Sequence, residues 1–176
     1  MIAEAELDRA FADAVAESAD FRRWVLTQTR FRALADEAIL LRDEQIHARP
    51  KVARENWWRH WWCALQDRSE SETDIFLVFG VRNSEKRVAL HIENKPPHGK
   101  FTLHQDLNYR RRAKFMAGDG RYLGYSDFVT AILAPQRFLQ RYAEQVRNFD
   151  LSFSYEAVSN FIPLFADSLR EHIARE

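Results

Sequence analysis

Cysteine is almost missing from this chain, which has 176 residues and a single cysteine, Cys63. One cysteine excludes an internal disulfide and any zinc cluster built from several cysteines, as suits a protein of the reducing cytoplasm. Histidine does not take over that role, because no two of the six histidines form a close metal-binding pair on one predicted element. We therefore do not expect zinc chemistry.

Long apolar runs and nucleotide-binding glycine loops are also missing. No stretch of 18 or more apolar residues predicts a membrane span. Residues 1–6 lack the basic and apolar regions of a signal peptide. The sequence contains no Walker-type loop, no dinucleotide fingerprint and no local signature of a serine or cysteine triad. Its length predicts a single domain, residues 1–176, with a sizeable core.

An excess of one charge is absent as well, since 26 basic residues balance 26 acidic ones. A protein that coats DNA regardless of sequence is normally strongly basic, so that class is excluded. Any contact with nucleic acid would need local charge. The sequence supplies it at residues 110–114 and again at Arg121, Arg137, Arg141 and Arg147.

Two apolar segments, residues 74–81 and 87–93, are separated by the turn-rich residues 82–86. We predict an antiparallel hairpin whose turn centres on residues 83 and 84. This register places Asp74 directly opposite Glu93, with their Cβ atoms roughly 5 Å apart. Lys95 lies two residues beyond Glu93 and so shares its face. The other face is predicted to hold Ile75, Leu77, Phe79, Val88, Leu90 and Ile92.

Two carboxylates and an ammonium at one edge of an apolar sheet are typical of a metal site with a positively charged side chain that takes part in catalysis. We expect the Asp74 and Glu93 carboxylates to lie on the order of 4–6 Å apart and to bind one Mg²⁺ or Mn²⁺ ion. Such an ion polarises a phosphoryl group and lowers the pKa of a bound water. Lys95 would orient that water and offset charge in the transition state. Arginine is the usual cation of this chain, so a lysine at this position is distinctive.

Each residue of the hairpin pattern, and of the predicted helix that follows it, has a simpler explanation when taken alone. A lone acid-x-lysine triplet usually marks a solvated strand end, and Asp74 alone suits a turn or a cap. Gln105 and Tyr109, one helical turn apart, are compatible with a surface glutamine beside a half-buried tyrosine. Residues 110–114 are compatible with a solvated helix face. The joint pattern is much less common than any of its parts.

Asp74, the triplet Glu93-Asn94-Lys95 and the pair Gln105-x-x-x-Tyr109 follow one another in this order. Together they resemble the PD-(D/E)XK nuclease superfamily, which has the restriction-endonuclease-like fold, and its small bacterial branches in particular. The resemblance covers about residues 57–160. Thr73 departs from it, since the family has proline before the aspartate, but that position is the loosest part of the motif.

The resemblance implies that Asp74 and Glu93 are metal ligands and that Lys95 is the catalytic lysine. It implies that Gln105 and Tyr109 support the site or contact the nucleic-acid backbone. In the resembled fold a helix before the core often brings a further acid to the metal, and Glu17 is the candidate here.

The basic helix is expected to contact phosphate. Three consecutive arginines span about 300° of a helix, so they cannot all face the substrate. We take Arg110 and Arg112 as the substrate-binding candidates.

The elements predicted along the chain give an α/β fold with a mixed sheet flanked by helices. We expect helices at about residues 4–29 and 31–44, which form a helical N-terminal segment to about residue 50. The core, about residues 57–160, is expected to begin with a strand at residues 57–65, for which a helical turn is the alternative, and a polar loop at 66–73. After the hairpin come a helix from near residue 102 or 104, a strand at 126–133, a helix at 135–146 and a strand at 149–153. Ser154 then caps a last helix.

Two functions from different classes fit this sequence. The first is a metal-dependent nuclease that acts on nucleic acid, DNA rather than RNA, either alone, as a homodimer or within a defence or repair complex. The second is a non-catalytic module that binds nucleic acid or protein on the same fold. The complete set of Asp74, Glu93 and Lys95 favours the nuclease, because a decayed site usually loses one of the three.

Overall fold

The structure of the protein is a computed structural model that describes residues 2–64 and 70–174. Its helices are α1 (Glu4–Glu17), α2 (Ala19–Thr27), α3 (Arg42–Ala48), α4 (Gln105–Met116), α5 (Gln136–Arg141), α6 (Ala143–Val146), α7 (Tyr155–Val158) and α8 (Pro163–Ile173). Its strands are β1 (Ala38–Leu40), β2 (Trp61–Ala64), β3 (Glu70–Thr73), β4 (Ile75–Val81), β5 (Arg87–Asn94), β6 (Asp127–Ala134) and β7 (Leu151–Ser154). None of the helices in this described part is long and apolar enough to cross a membrane.

Five strands form a mixed sheet in the order β1-β4-β5-β6-β7. β4 runs antiparallel to both β1 and β5, whereas β5, β6 and β7 run parallel to one another. Parallel neighbours need crossover connections. Helix α4 supplies one between β5 and β6, and α5 with α6 supplies the next. The fold is thus α/β, as the sequence predicted, and the carboxyl ends of β5, β6 and β7 meet at one edge of the sheet.

The hairpin of β4 and β5 has the register that the sequence predicted. Ile75 pairs with Ile92, and Leu77 pairs with Leu90. Asn83 takes a left-handed conformation in the turn, with φ of 57°, which asparagine tolerates better than most residues. The six predicted apolar side chains all join one core cluster, Ile75, Leu77, Phe79, Val88, Leu90 and Ile92.

The two faces of the sheet are covered by different elements. Helices α1, α2, α7 and α8 contribute to the larger apolar cluster on the face of Ile75 and Ile92. The opposite face, which carries Phe76 and Val78, packs against β2, the end of α4 and the segment around Tyr125. Because β4 and β5 are covered on both faces, almost every residue along them is buried.

The predicted helix at residues 31–44 is wrong. The structure has a short 3-10 turn at residues 32–34, then β1, and only then α3. Apolar residues at positions 31, 34, 38 and 41 fit a helical period, but β1 pairs with the open edge of β4. Tertiary pairing therefore overrides the local pattern.

The predicted first core strand at residues 57–65 is confirmed only in its second half, where β2 lies, and it is not part of the main sheet. Residues 57–60 form a turn, and β2 pairs with β3 in a separate two-stranded sheet. Arg49 holds that turn, since its guanidinium donates to the carbonyls of Trp57, Arg59 and His60 at 2.8, 2.6 and 2.7 Å. The predicted loop at 66–73 contains β3, while residues 65–69 lie outside the described residues.

Two predicted helices are interrupted. Ser18 ends α1 and caps α2, because its hydroxyl accepts a hydrogen bond from the Phe21 N–H at 3.2 Å. Tyr142 separates α5 from α6. The predicted cap at Ser154 is confirmed, since its hydroxyl accepts from the Ala157 N–H at 3.1 Å.

A buried glutamine side chain completes the ladder of β4 where β1 ends. The Gln45 amide donates to the Phe76 carbonyl and accepts from the Val78 N–H, both at 3.0 Å. Gln45 is fully buried, so water cannot replace it. Its side-chain amide makes the two hydrogen bonds to β4 that a neighbouring strand would otherwise make.

Gln45→Leu should therefore destabilise the protein by about 2–6 kcal/mol, at roughly 1–3 kcal/mol for each buried backbone group left without a partner. Urea denaturation followed by circular dichroism measures this. The control Gln140→Leu changes an exposed glutamine on α5 and should stay within about 0.5 kcal/mol of wild type. Equal stability of the two variants would show that Gln45 does not hold the edge of β4.

Candidate functional site

The end of the β4–β5 hairpin brings together the acids predicted from the sequence. Asp74 lies directly before β4, and continuing the Ile75–Ile92 register by one residue places it opposite Glu93. The Asp74 Oδ2 atom accepts a hydrogen bond from the Asn94 backbone N–H at 2.9 Å. The hairpin register and this hydrogen bond together fix where the Asp74 carboxylate stands.

Glu93 is the centre of a compact polar cluster. The Lys95 Nζ atom lies 2.5 Å from Glu93 Oε1, and the Gln105 side-chain amide donates to the same oxygen. Glu93 is only 1% exposed. Its other oxygen, Oε2, is buried and has no hydrogen-bond partner in the part of the chain that the structure describes. A buried carboxylate oxygen without a partner is costly, so this atom is open to a further cation.

Helix α1 adds a carboxylate, Asp8, that was not among the residues predicted from the sequence. Asp8 is 5% exposed, and its Oδ1 atom accepts from the Asn94 side-chain amide at 2.6 Å. The Tyr155 hydroxyl donates to the Asn94 Oδ1 atom at 2.7 Å, so both ends of that amide are held. Glu4 lies one helical turn before Asp8 and interacts electrostatically with Lys95 and Glu93.

Burial and mutual repulsion shift the pKa values of these acids upward. Burial, and then the charges of Glu93 and Asp8, raise the pKa of Asp74 well above its ordinary value. Burial raises the pKa of Asp8 to about 8, although the hydrogen bond from Asn94 acts against it. These upward shifts favour the protonated, neutral forms of Asp8 and Asp74 in the metal-free protein, and acids shifted in this way are common at functional sites.

Lys95 is the cation hydrogen-bonded within this cluster. Burial lowers the pKa of Lys95, but the charge and hydrogen bond of Glu93 outweigh burial and leave that pKa raised. The ammonium lies 5.9 Å from the centre of the Phe101 ring. Lys95 is 8% exposed and remains charged at neutral pH, so it differs from a solvated lysine at a strand end.

Gln105 and Tyr109 both point from α4 toward the sheet. The Tyr109 hydroxyl accepts from the Asp74 backbone N–H at 3.2 Å and donates to the Ile92 carbonyl at 3.4 Å. Tyr109 is 1% exposed, so of its two expected roles the structure agrees with support of the site and not with contact to the nucleic-acid backbone. Its place is beneath the site, where it holds the ends of β4 and β5.

Arg112 is likewise not available to a substrate. It is 1% exposed and lies under α4, with its guanidinium 4.1 Å from the centre of the Tyr109 ring. The helical period explains this correction, because Arg112 follows Tyr109 by three residues and shares its buried face. Arg110 is exposed and pairs with Asp150, and Arg111 and Lys114 are exposed on the outer face of α4.

The structure does not bring Glu17 to the other acids. Glu17 ends α1, about 20 Å along the axis from Glu4 at a rise of roughly 1.5 Å per residue, and Asp13 is its charged neighbour. The buried stripe of α1 holds Leu7, Phe11 and Val15, with Asp8 beside it. Asp8, an acid next to that stripe, was the signal available in the sequence.

His91 shares the sheet face of Glu93 but lies in the interior. Its Nε2 atom lies 3.0 Å from the Tyr125 hydroxyl, which itself donates to the Ala113 carbonyl at 2.5 Å. The hydroxyl must therefore accept from Nε2–H, which leaves Nδ1 to accept from the Thr73 hydroxyl at 3.3 Å. Burial, and then the charge of Arg112, hold the pKa of His91 well below its ordinary value. His91 is a neutral structural residue.

The raised pKa of Asp8 predicts how stability depends on pH in the metal-free protein. Between about pH 4 and 8 the folded state keeps the Asp8 proton, whereas the unfolded state releases it. The contribution of Asp8 to the free energy of unfolding is therefore full at low pH and is lost as pH rises toward about 8. Asp8→Asn keeps the acceptor for Asn94 and removes the titration. Its stability relative to wild type should rise by up to about 1.4 kcal/mol per pH unit between pH 4 and 8.

Urea denaturation in EDTA, repeated across that pH range, measures the difference. Gln140→Leu, a change of an exposed residue that does not titrate, should leave the pH profile as it is. Parallel profiles for wild type and Asp8→Asn would contradict a buried, protonated Asp8.

The chain matches no protein-family model, no curated protein and no solved structure. Within residues 2–64 and 70–174, no group of three or more acidic, histidine or cysteine side chains is placed to hold a metal ion. What distinguishes this edge of the sheet is a lysine bound to a buried glutamate, with the buried Asp8 and the partly buried Asp74 beside it.

Proposed function

We propose that the protein is a metal-dependent nuclease that hydrolyses phosphodiester bonds in nucleic acid, DNA rather than RNA, on a restriction-endonuclease-like fold. The observation that carries this proposal is the cluster at the hairpin end. A buried glutamate holds a lysine through one oxygen and leaves its other oxygen without a partner among the described residues. An aspartate stands opposite it in the hairpin register.

The donor set fits a hard divalent cation such as Mg²⁺ or Mn²⁺. The Oε2 atom of Glu93 and the Asp74 carboxylate are oxygen donors of the kind that these ions prefer, and Mg²⁺ needs only one or two carboxylates besides substrate phosphate and waters. Bound there, the ion would polarise the phosphoryl group and lower the pKa of a bound water. It would also neutralise the repulsion that raises the pKa values of Asp74 and Asp8.

Lys95 is the residue of this chain that supplies a positive charge at the site. Its contact with Glu93 Oε1 holds the ammonium at the site and keeps it protonated. From there the ammonium can orient a water and offset the negative charge that develops on the phosphoryl oxygens. The Gln105 amide binds the same glutamate oxygen and so limits the rotation of the Glu93 carboxylate.

The substrate backbone would approach from the side of α4. Arg111 and Lys114 are exposed on that helix, and Arg110 is exposed but shared with Asp150. These side chains border a surface groove together with Arg147. Phosphate binding by such cations strengthens affinity without regard to sequence and weakens as salt rises.

A non-catalytic binding module is the second candidate, and one observation favours it. The ion pair of Glu93 with Lys95 is complete without a metal, so the buried charge is already partly compensated. The two candidates separate when the wild-type protein is titrated with Mg²⁺ or Mn²⁺ against single- and double-stranded DNA and RNA. Cleavage that depends on the metal supports the nuclease, and binding without cleavage supports the module.

Lys95→Ala and Lys95→Arg should both lower kcat by about 100-fold or more, because Lys95 acts on the transition state. Lys95→Arg keeps the charge beside Glu93 and should fold as well as wild type. Lys95→Ala leaves a buried carboxylate unpaired and should lose stability. Single-turnover cleavage and thermal denaturation separate the two effects. Full activity of Lys95→Arg would remove the specific role of the ammonium.

Asp74→Asn and Glu93→Gln should weaken Mn²⁺ binding by at least about tenfold, since even supporting groups of metal sites contribute 10–100-fold. Both variants should also lose cleavage. Isothermal titration calorimetry of the purified proteins measures the affinity directly. Glu17→Gln serves as the matched control and should bind Mn²⁺ as wild type does. Unchanged affinity in the two site variants would place the metal elsewhere.

A further inference from the structure

A cavity of about 500 Å³ lies beside the loop that follows Lys95. Pro97 and Gly99 of that loop form one wall, and the beginning of α5 and the end of α8 form the others. Its volume falls within the roughly 300–1,000 Å³ that is common for sites of small molecules. The apolar part of its lining is Pro97, Pro135, Phe138, Leu169 and Ile173.

One aromatic layer separates this cavity from the catalytic lysine. The Phe101 ring lies 5.9 Å from the Lys95 ammonium. Phe101 also packs against Phe138 and Tyr142, with ring centres 5.4 and 5.6 Å away. Phe138 and Tyr142 both line the cavity. A ligand bound here would therefore be next to the site.

Positive charge is the second property of the cavity. Arg137 and Arg141 are four residues apart on α5, so they lie one helical turn apart on the same face. The Arg141 guanidinium is 5.4 Å from the centre of the Tyr142 ring. The one carboxylate in the lining, Glu156, accepts from the Gln136 backbone N–H at 3.2 and 3.0 Å.

An apolar and aromatic wall beside two guanidinium groups suits a ligand that joins a flat ring to an anion. Bases stack on aromatic side chains whatever their sequence, and arginine binds phosphate. We propose that this cavity binds one nucleotide, with its base against Phe138 and Tyr142 and its phosphate at Arg137 and Arg141. The proposal rests on the proposed function in taking that nucleotide to belong to the nucleic-acid strand cut beside Lys95.

The test is equilibrium binding in EDTA, where no metal-dependent cleavage can occur. Fluorescently labelled single-stranded oligonucleotides are titrated with wild type, with Arg137→Ala/Arg141→Ala and with Arg32→Ala/Arg54→Ala. The last pair removes the same charge at exposed positions that do not line the cavity. The cavity variant should bind about tenfold or more weakly than the control. Its slope of log K against log salt should fall by about 0.7, the value for one phosphate contact on a single strand.

A second variant leaves both arginines in place. Ile173→Glu puts a negative charge at an exposed position of the lining, 67% accessible in the structure, so folding should survive. It should weaken oligonucleotide binding and raise KM in cleavage assays while kcat stays near that of wild type. Unlabelled mononucleotides, added as competitors, separate a free nucleotide from one within a strand. Competition as tight as that of the oligonucleotide identifies the free nucleotide as the ligand.

The outcomes distinguish this proposal from the nuclease itself. If the wild type cuts nucleic acid and both cavity variants bind like the control, the cavity assignment is overturned and the nuclease stands. If the wild type binds oligonucleotide without cutting it, and both cavity variants lose that binding, the cavity assignment stands and the nuclease does not. Absence of any nucleotide or oligonucleotide binding by the wild type overturns both.

Discussion

The pairing register of β4 with β5 is the constraint on which the candidate site depends. Side chains alternate between faces along a strand, so a slip of one residue would exchange the apolar set for the polar one. The large core cluster on the face of Ile75 and Ile92 forbids that slip. The same constraint therefore buries the core of the sheet and places Asp74 opposite Glu93 at its edge.

The site joins the two layers of helices across the end of the sheet. Helix α1 covers one face and delivers Asp8 to the Asn94 amide, while α4 covers the other and delivers Gln105 to Glu93. Asn94 and Glu93 are consecutive residues that point to opposite faces. Their alternation lets a single strand end collect polar groups from both layers. The geometry of the site thus depends on both layers being docked.

Burying several acids together works against the stability of the fold. The raised pKa values of Asp8 and Asp74 express that cost. The surrounding structure offsets it through the Tyr155–Asn94–Asp8 hydrogen bonds and the Lys95–Glu93 pair. A loss of stability from buried acids is retained where the acids serve binding or chemistry, which agrees with the function that we propose.

The sequence by itself determined the features that depend on neighbouring residues and on strand alternation. These include the hairpin, its turn and register, the polar triplet at its end and the helix cap at Ser154. Tertiary structure alone decided which faces are covered. Packing buries Arg112 and Tyr109 and makes residues 38–40 an edge strand. It also places Asp8, and not Glu17, beside the acids at the end of the hairpin. Periodicity shows that a helix or strand has an apolar side, but the packing partner decides which residues along that side are buried and which meet a distant segment.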